Sequence, residues 1–467
     1  MNSADLNIPF LLLLAFYIIA ATIIAVYARR GVVDQEDYFV GGRKIGGIVS
    51  ALTYAVTTYS AFMIVGLVGF AYSTGVGSAG FELVYLVATL FLLSYYGPRI
   101  WKMGKEKGLI TPSEIYKKMY GPVVTRLSVL VALVALVPYI SAQVTGISLI
   151  LEKNIHISFE LGVIFITFLI AIWAVLGGLR GVAWTDAVQG LIILVSTVLA
   201  VSWIYLWGFG SSGSIVESLQ GTEVLKFPNS FWTPLQFFAM ALPWSFFSLT
   251  NPQVFQRMFI PRDVLSLRKM ILLFAIFGLM YTVLTTFMGL ELRALTENGV
   301  FPAIDYRDDV TPTAIQFMPQ WLSLLISLSI IAAAVTTSNS IILTLSSMTS
   351  RDIARKRSVL AGEITIVILT ITAALFALQR PDYIVELSVL SSTILLCQLP
   401  LILGVFHSRD RKRKRITGMA TLLAGFTVAV ASIFDLTLPH LPVSIWVFMI
   451  SFAVYILVSR LESAVIS

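Results

Sequence analysis

Apolar runs long enough to cross a lipid bilayer recur along the whole 467-residue chain. A helix needs about 20 predominantly apolar residues to span the hydrocarbon. Thirteen stretches come close enough to read as spans: roughly 8–28, 47–72, 79–99, 124–152, 158–177, 184–207, 232–251, 268–292, 314–348, 359–379, 384–406, 416–435 and 442–461. The chain therefore reads as an all-α membrane protein with about 13 transmembrane helices. Charged residues make up only 12%, against about 25% in soluble domains. The net charge of +7 is then a matter of membrane topology rather than of nucleic-acid binding. The single cysteine, Cys397, excludes an internal disulfide. The first run follows an acidic leader residue, Asp5, with no cleavage pattern, and reads as a retained helix.

Basic residues set the orientation. If the N-terminus is outside, the inside loops hold 27 of the 32 Lys and Arg, among them Arg180, Arg257 to Lys269 and Arg409 to Arg415. The outside set is Lys153, Lys226, Arg293, Arg307 and Arg380. So strong an asymmetry predicts an N-terminus outside and a C-terminus inside, in the plasma (cytoplasmic) membrane.

Two spans make poor helices at matching places. The second contains Thr57-Thr58-Tyr59-Ser60, then Gly66 and Gly69; the seventh contains Pro243-Trp244-Ser245 and ends in Asn251-Pro252-Gln253. Spans two to six and seven to eleven form two sets of five, and an odd number inverts the second set. The predicted organisation is an N-terminal extra helix (1–30), a first five-helix repeat (45–207), a second, inverted one (231–406) and two C-terminal helices (416–467). Paired broken helices opening two inverted repeats point to the central site of a transporter. In the ninth span, Ala333, Thr336, Thr337 and Ser340 share one small, hydroxyl-bearing helix face. Such a face serves close helix packing, or supplies oxygens to a hard cation.

Between the fifth and sixth spans lies Gly177-Gly178-Leu179-Arg180-Gly181-Val182-Ala183-Trp184-Thr185-Asp186-Ala187-Val188-Gln189. The Gly pair and Arg180 read as a tight turn at the membrane surface. Asp186 enters hydrocarbon at a cost that a cap, a protein partner or a cation site must offset. This stretch resembles the signature of the sodium/solute symporter family, whose members carry sugars, proline, pantothenate and other small solutes with sodium. The likeness extends from Asp34 to about Pro400. It implies a LeuT-like fold of 5+5 inverted repeats with a broken first helix in each.

The resemblance also implies site residues. A sodium ion would be held by Val56, Tyr59, Ala333, Thr336 and Thr337. Some members take a second sodium, at positions that fall here on Asp186, Asn339 and Ser340; Asn339 departs from the expected Ser. The solute would bind beside both breaks. The candidates are Thr58, Ser60 and Phe62 from the second span, Glu82 and Tyr85 from the third, Tyr139 and Gln143 from the fourth, and Trp244, Phe247 and Ser248 from the seventh.

These readings predict a symporter that imports a small organic solute with Na⁺ by alternating access. Amino acids such as proline, or small organic acids, come first; sugars and pantothenate come next. A proton-coupled or facilitative carrier of the same fold is the alternative. An enzyme would need a nucleophile–base pair or a metal cluster at depth, whereas His156, His407 and His440 lie near span ends. The expected partners are the solute, sodium and the bilayer, with no nucleic acid and no obligatory protein partner.

Overall fold

The structure, a computed structural model, describes residues 7–210, 214–379, 384–408, 413–434, 436 and 440–466. Asp5, Arg380 and residues 409–412, which entered the leader and charge arguments above, lie outside the described residues.

The described chain is helical apart from one isolated bridge between Ile45 and Pro261. In order, the helices are α1 (Ile8–Arg29), α2 (Gln35–Val40), α3 (Gly47–Thr58), α4 (Val68–Thr74), α5 (Gly77–Lys107), α6 (Lys117–Ile155), α7 (Phe159–Phe209) and α8 (Ile215–Ser218). Then follow α9 (Pro234–Ser245), α10 (Phe247–Thr250), α11 (Pro252–Arg257), α12 (Val264–Glu297), α13 (Val310–Phe317) and α14 (Gln320–Met348). The last are α15 (Val359–Ala377), α16 (Ile384–Leu395), α17 (Leu399–His407), α18 (Arg415–Ala431) and α19 (Val443–Ile466). Among the described residues, 10 helices are long and apolar enough to cross a membrane, or 11 if α3 and α4 count as one bent span.

Burial ranks these helices. In α14 and its continuation to Ile353, 78% of the apolar window is covered by protein, against 22% in α19 and 28% in α1. The hydroxyl-bearing helix is therefore the hub, and the terminal helices are peripheral. Its small side chains permit this, because Ala, Ser and Thr let neighbouring backbones approach closely.

Helix α7 is far longer than the hydrocarbon is thick: 51 residues rise about 76 Å. At Gly178 the backbone turns to φ 51°, ψ −162°, a conformation that side chains rarely adopt. Trp173, before the bend, packs edge-on against Tyr17 of α1, and Gln189, after it, donates to the Tyr17 hydroxyl. Both halves meet one residue of α1, so α7 folds back on itself. The expected surface turn is thus a single sharp bend, with Arg180 already in helical backbone.

The α3–α4 break is local chemistry. After Thr58 the chain leaves the helix at Tyr59 (φ −93°, ψ 84°). The Ser60 hydroxyl accepts from the Phe62 N–H. A π-helical stretch, Phe62–Leu67, then leads into α4, and the two arms are bent by 53°. A short polar side chain that bonds its own backbone offers the chain an alternative to helix continuation. A second interruption runs from Pro243 inside α9 through the Phe246 cap to Pro252 at the start of α11.

Candidate functional site

The break in α3 frees backbone carbonyls, and α14 brings hydroxyls to them. The Thr337 hydroxyl donates to the Val56 carbonyl at 3.1 Å, and the Thr336 hydroxyl lies 3.5 Å from the same oxygen and 2.8 Å from the Ala333 carbonyl. Val56, Ala333, Thr336 and Thr337 thus form one buried cluster of oxygens. Tyr59 is the residue at which the helix ends, so its carbonyl has no following turn to bond. Hard monovalent cations are held by such oxygens, neutral hydroxyls and carbonyls included.

One turn further along α14 the arrangement changes. Ser340 shares a hydrogen bond with Thr57 (2.9 Å), and also accepts from the Arg257 guanidinium at 2.6 Å. Arg257 Nε donates to Thr53 Oγ1 at 3.1 Å, Thr53 donates to Asp186 Oδ2 at 2.5 Å, and the guanidinium lies 3.9 Å from that carboxylate oxygen. Arg257 and Asp186 are both wholly buried. Asp186 is therefore no cap on its own helix: it faces α3 and an internal cation. Asn339 Oδ1 is buried with no protein hydrogen bond.

Arg257 is the residue that sequence reasoning missed. Counted among the loop charges, it is instead drawn fully inside, where Asp186, Thr53 and Ser340 offset the cost of burying a guanidinium. No local signal marked it: its burial follows from partners on α3, α7 and α14 rather than from its own sequence context.

The solute candidates converge on Trp244. Its indole N–H donates to Glu82 Oε2 at 3.2 Å, and its ring lies against Phe62 (5.3 Å between centroids), Tyr85 (5.8 Å) and Phe247 (5.1 Å). Ser60 and Tyr139 share a hydrogen bond of 2.9 Å, which ties α6 to the break. Gln143 and Ser248 are buried with side-chain polar atoms that meet no protein partner. Thr58 turns back onto the Tyr54 carbonyl. Glu82, placed near a span end on sequence grounds, is buried. Among the described residues, no group of three His, Cys, Asp or Glu side chains could hold a metal ion.

A broken membrane helix set against a hydroxyl-bearing one is the architecture of a secondary transporter. Residues 38–422 match the model of the sodium:solute symporter family, and the chain belongs to that family. The family is one of transporters rather than enzymes, and Na⁺ is its co-transported ion.

Relatives include the sodium/pantothenate symporter of Escherichia coli (strain K12), 28% identical over 51% of this chain and 53% of its own length. The Haemophilus influenzae sodium/pantothenate symporter is 26% identical over 82% and 81%. The high-affinity proline transporter PutP of Bacillus subtilis (strain 168) is 25% identical over 46% and 49%. The first and last of these are thus matched over about half their length. A Na⁺-coupled sialic acid symporter, solved substrate-bound and outward-open, superposes with a TM-score of 0.83 over 97% of this chain and 98% of its own, at 17% identity. MHP1, a nucleobase-cation-symport-1 family transporter, gives 0.59 over 92% and 95%, at 11% identity. At such identities the likeness speaks to the fold, which is LeuT-like.

Proposed function

We propose that this protein is a sodium-coupled symporter that moves a small neutral or zwitterionic solute into the cell by alternating access, taking one Na⁺ per cycle. The observation that carries the reading is the pair of α14 hydroxyls, Thr336 and Thr337, on the Val56 carbonyl at the α3 break. Sodium at Val56, Tyr59, Ala333, Thr336 and Thr337 would cross-link the broken helix to the hub and hold it in its solute-binding form. Solute and ion then raise each other's affinity by the same factor.

The single sodium rests on Arg257. Asp186 and Ser340, two of the three residues implied for a second ion, already surround its guanidinium. A tethered cation there leaves one exchangeable site, the neutral one.

The solute class rests on Glu82, held by Trp244 within the aromatic wall. The candidate solute residues include a carboxylate and neither Lys nor Arg, which favours an ammonium- or hydroxyl-bearing solute over a simple organic anion. Gln143 and Ser248 supply free polar atoms for the rest of it. An amino acid such as proline fits this description better than pantothenate does.

Thirteen spans, ten of them in two inverted sets of five, are the organisation we infer. The fold-back of α7 supplies two crossings, and α9 to α11 supply one more beside the 11. The domains keep the limits 1–30, 45–207, 231–406 and 416–467. The membrane is the plasma membrane, with the N-terminus outside.

The test is uptake into reconstituted vesicles under an inward Na⁺ gradient, with K⁺ replacing Na⁺ as the control. Accumulation of a zwitterionic or neutral solute only with Na⁺ supports the reading. Uptake that is equal in both salts and follows a proton gradient would transfer the assignment to a proton-coupled carrier.

A further inference from the structure

At the end of α1, the chain forms a cleft of about 780 Å³ against α7, walled by Ile23, Ile24, Tyr27, Trp184 and Val188 and closed at one end by Arg30 and Arg180. Arg180 and Trp184 also line a second recess, of about 300 Å³, whose rim carries Lys44. The two hollows therefore adjoin at Arg180 and Trp184, and three cations, Arg30, Arg180 and Lys44, stand in their combined lining. Gly31 makes room for this: a side-chain carbon there would collide with the Arg180 guanidinium, whereas one on Gly42 would collide with the Asp37 carboxylate that pairs with Arg180.

We infer that this double hollow is a binding site for an anionic phospholipid, its phosphate between Arg30, Arg180 and Lys44 and an acyl chain along Ile23, Trp184 and Val188. Charge decides the occupant. The nearby carboxylates are already engaged: Asp37 by Arg180 at 3.5 Å, Glu36 by Arg43 at 2.7 Å, and Glu363 by Arg29 at 2.5 Å. Arg30 and Lys44 are exposed and pair with no carboxylate among the described residues; Arg30 lies over the Tyr27 ring. Three basic side chains beside one carboxylate leave a net positive floor. Basic pockets between membrane helices at the interface hold anionic headgroups. Tyr27 and Trp184, both half-exposed or more, are residues of the kind that settle at headgroup level. The walls are mostly hydrocarbon, which suits an acyl chain and not a free anion. The site does not depend on the transport reading. It touches the transport core through Arg180, in the signature stretch, and through Lys44, just before α3.

The experiment is native mass spectrometry and thermal unfolding of the purified protein. The added ligand is phosphatidylglycerol, phosphatidylcholine or inorganic phosphate. Phosphatidylglycerol should be retained and should raise the unfolding temperature well above what phosphatidylcholine achieves. Arg30→Gln and Lys44→Gln should each weaken its retention about fivefold, since one interfacial Lys or Arg is worth about that factor. Arg268→Gln with Arg460→Gln, exposed cations that line neither hollow, should leave it unchanged. Equal retention of the two lipids would overturn the site, as would stabilisation by phosphate alone, or an equal loss in the Arg268/Arg460 variant. Any of these three results would leave the sodium reading untouched.

Discussion

Thr337 and Ser340, the partner of Arg257, sit about a turn apart on α14, and the roles of Thr337 and Arg257 differ in kind. In the proposed sodium site Thr337 would offer a neutral oxygen to an ion that comes and goes. Thr337→Ala should raise the Na⁺ concentration for half-maximal uptake about tenfold, roughly 1.4 kcal/mol, with the unfolding temperature little changed. A sodium titration of uptake checks this, and an unmoved midpoint would remove Thr337 from the site. Arg257 is a fixed charge. Arg257→Gln leaves Asp186 buried without its cation and should cost about 3–5 kcal/mol of stability. Asp186→Asn alone should cost a similar amount and slow turnover more than it weakens solute binding. The double variant should be markedly more stable than the sum of the two losses suggests, because it removes both charges. Strict additivity in thermal unfolding would mean that the 3.9 Å pair carries no coupling. The hydroxyl face of α14 was legible in the sequence because helical periodicity places 333, 336, 337 and 340 together. Arg257 was not: its burial is set by partners on α3, α7 and α14, and no local pattern brings Thr53, Asp186 and Ser340 to one point.

At the scale of elements, the breaks and the bends do different jobs. The α3–α4 break frees carbonyls and sets two arms at 53° to each other. The Gly178 bend folds α7 back on itself, with Tyr38 packed against the turn. A side-chain carbon at Gly178 would meet Tyr38 at 2.8 Å while holding φ +51°. Gly178→Ala should therefore destabilise the fold by at least about 2 kcal/mol. Gly210→Ala makes the comparison, since its φ of +58° is similar but the space around it is open. A smaller loss at Gly210 in thermal unfolding isolates the Tyr38 contact; equal losses would mean that backbone strain alone is at work. The sequence marked both places, through Gly-Gly and through Thr-Thr-Tyr-Ser, because Gly and short polar residues punctuate helices. It placed helix ends less well. Helix α5 continues to Lys107, beyond the expected limit at 99, since hydropathy locates hydrocarbon and not the end of hydrogen bonding.

For the whole molecule, coupling is a matter of energy. One Na⁺ entering gains about 2.3 kcal/mol from 100 mV and about 1.4 kcal/mol from a tenfold gradient. Together these sustain roughly 500-fold accumulation of a neutral solute. A second ion is not needed for that, which agrees with Arg257 standing where it would bind. The family and the all-helical class were legible because one motif and thirteen apolar runs carry them. The solute was not, since the proposed pocket draws on side chains of the α3 break, α5, α6, α9 and α10 whose sequence contexts are mostly ordinary membrane helix. The measurement that tests the account most directly is thermal unfolding of the purified protein against a panel of amino acids, sugars and organic acids, in Na⁺ and in K⁺. A ligand at 100 times its Kd adds about 2.7 kcal/mol. The account predicts an ammonium- or hydroxyl-bearing solute that stabilises the protein in Na⁺ and fails to do so in K⁺. A solute that stabilises it equally in both salts would contradict sodium coupling at the α3 break.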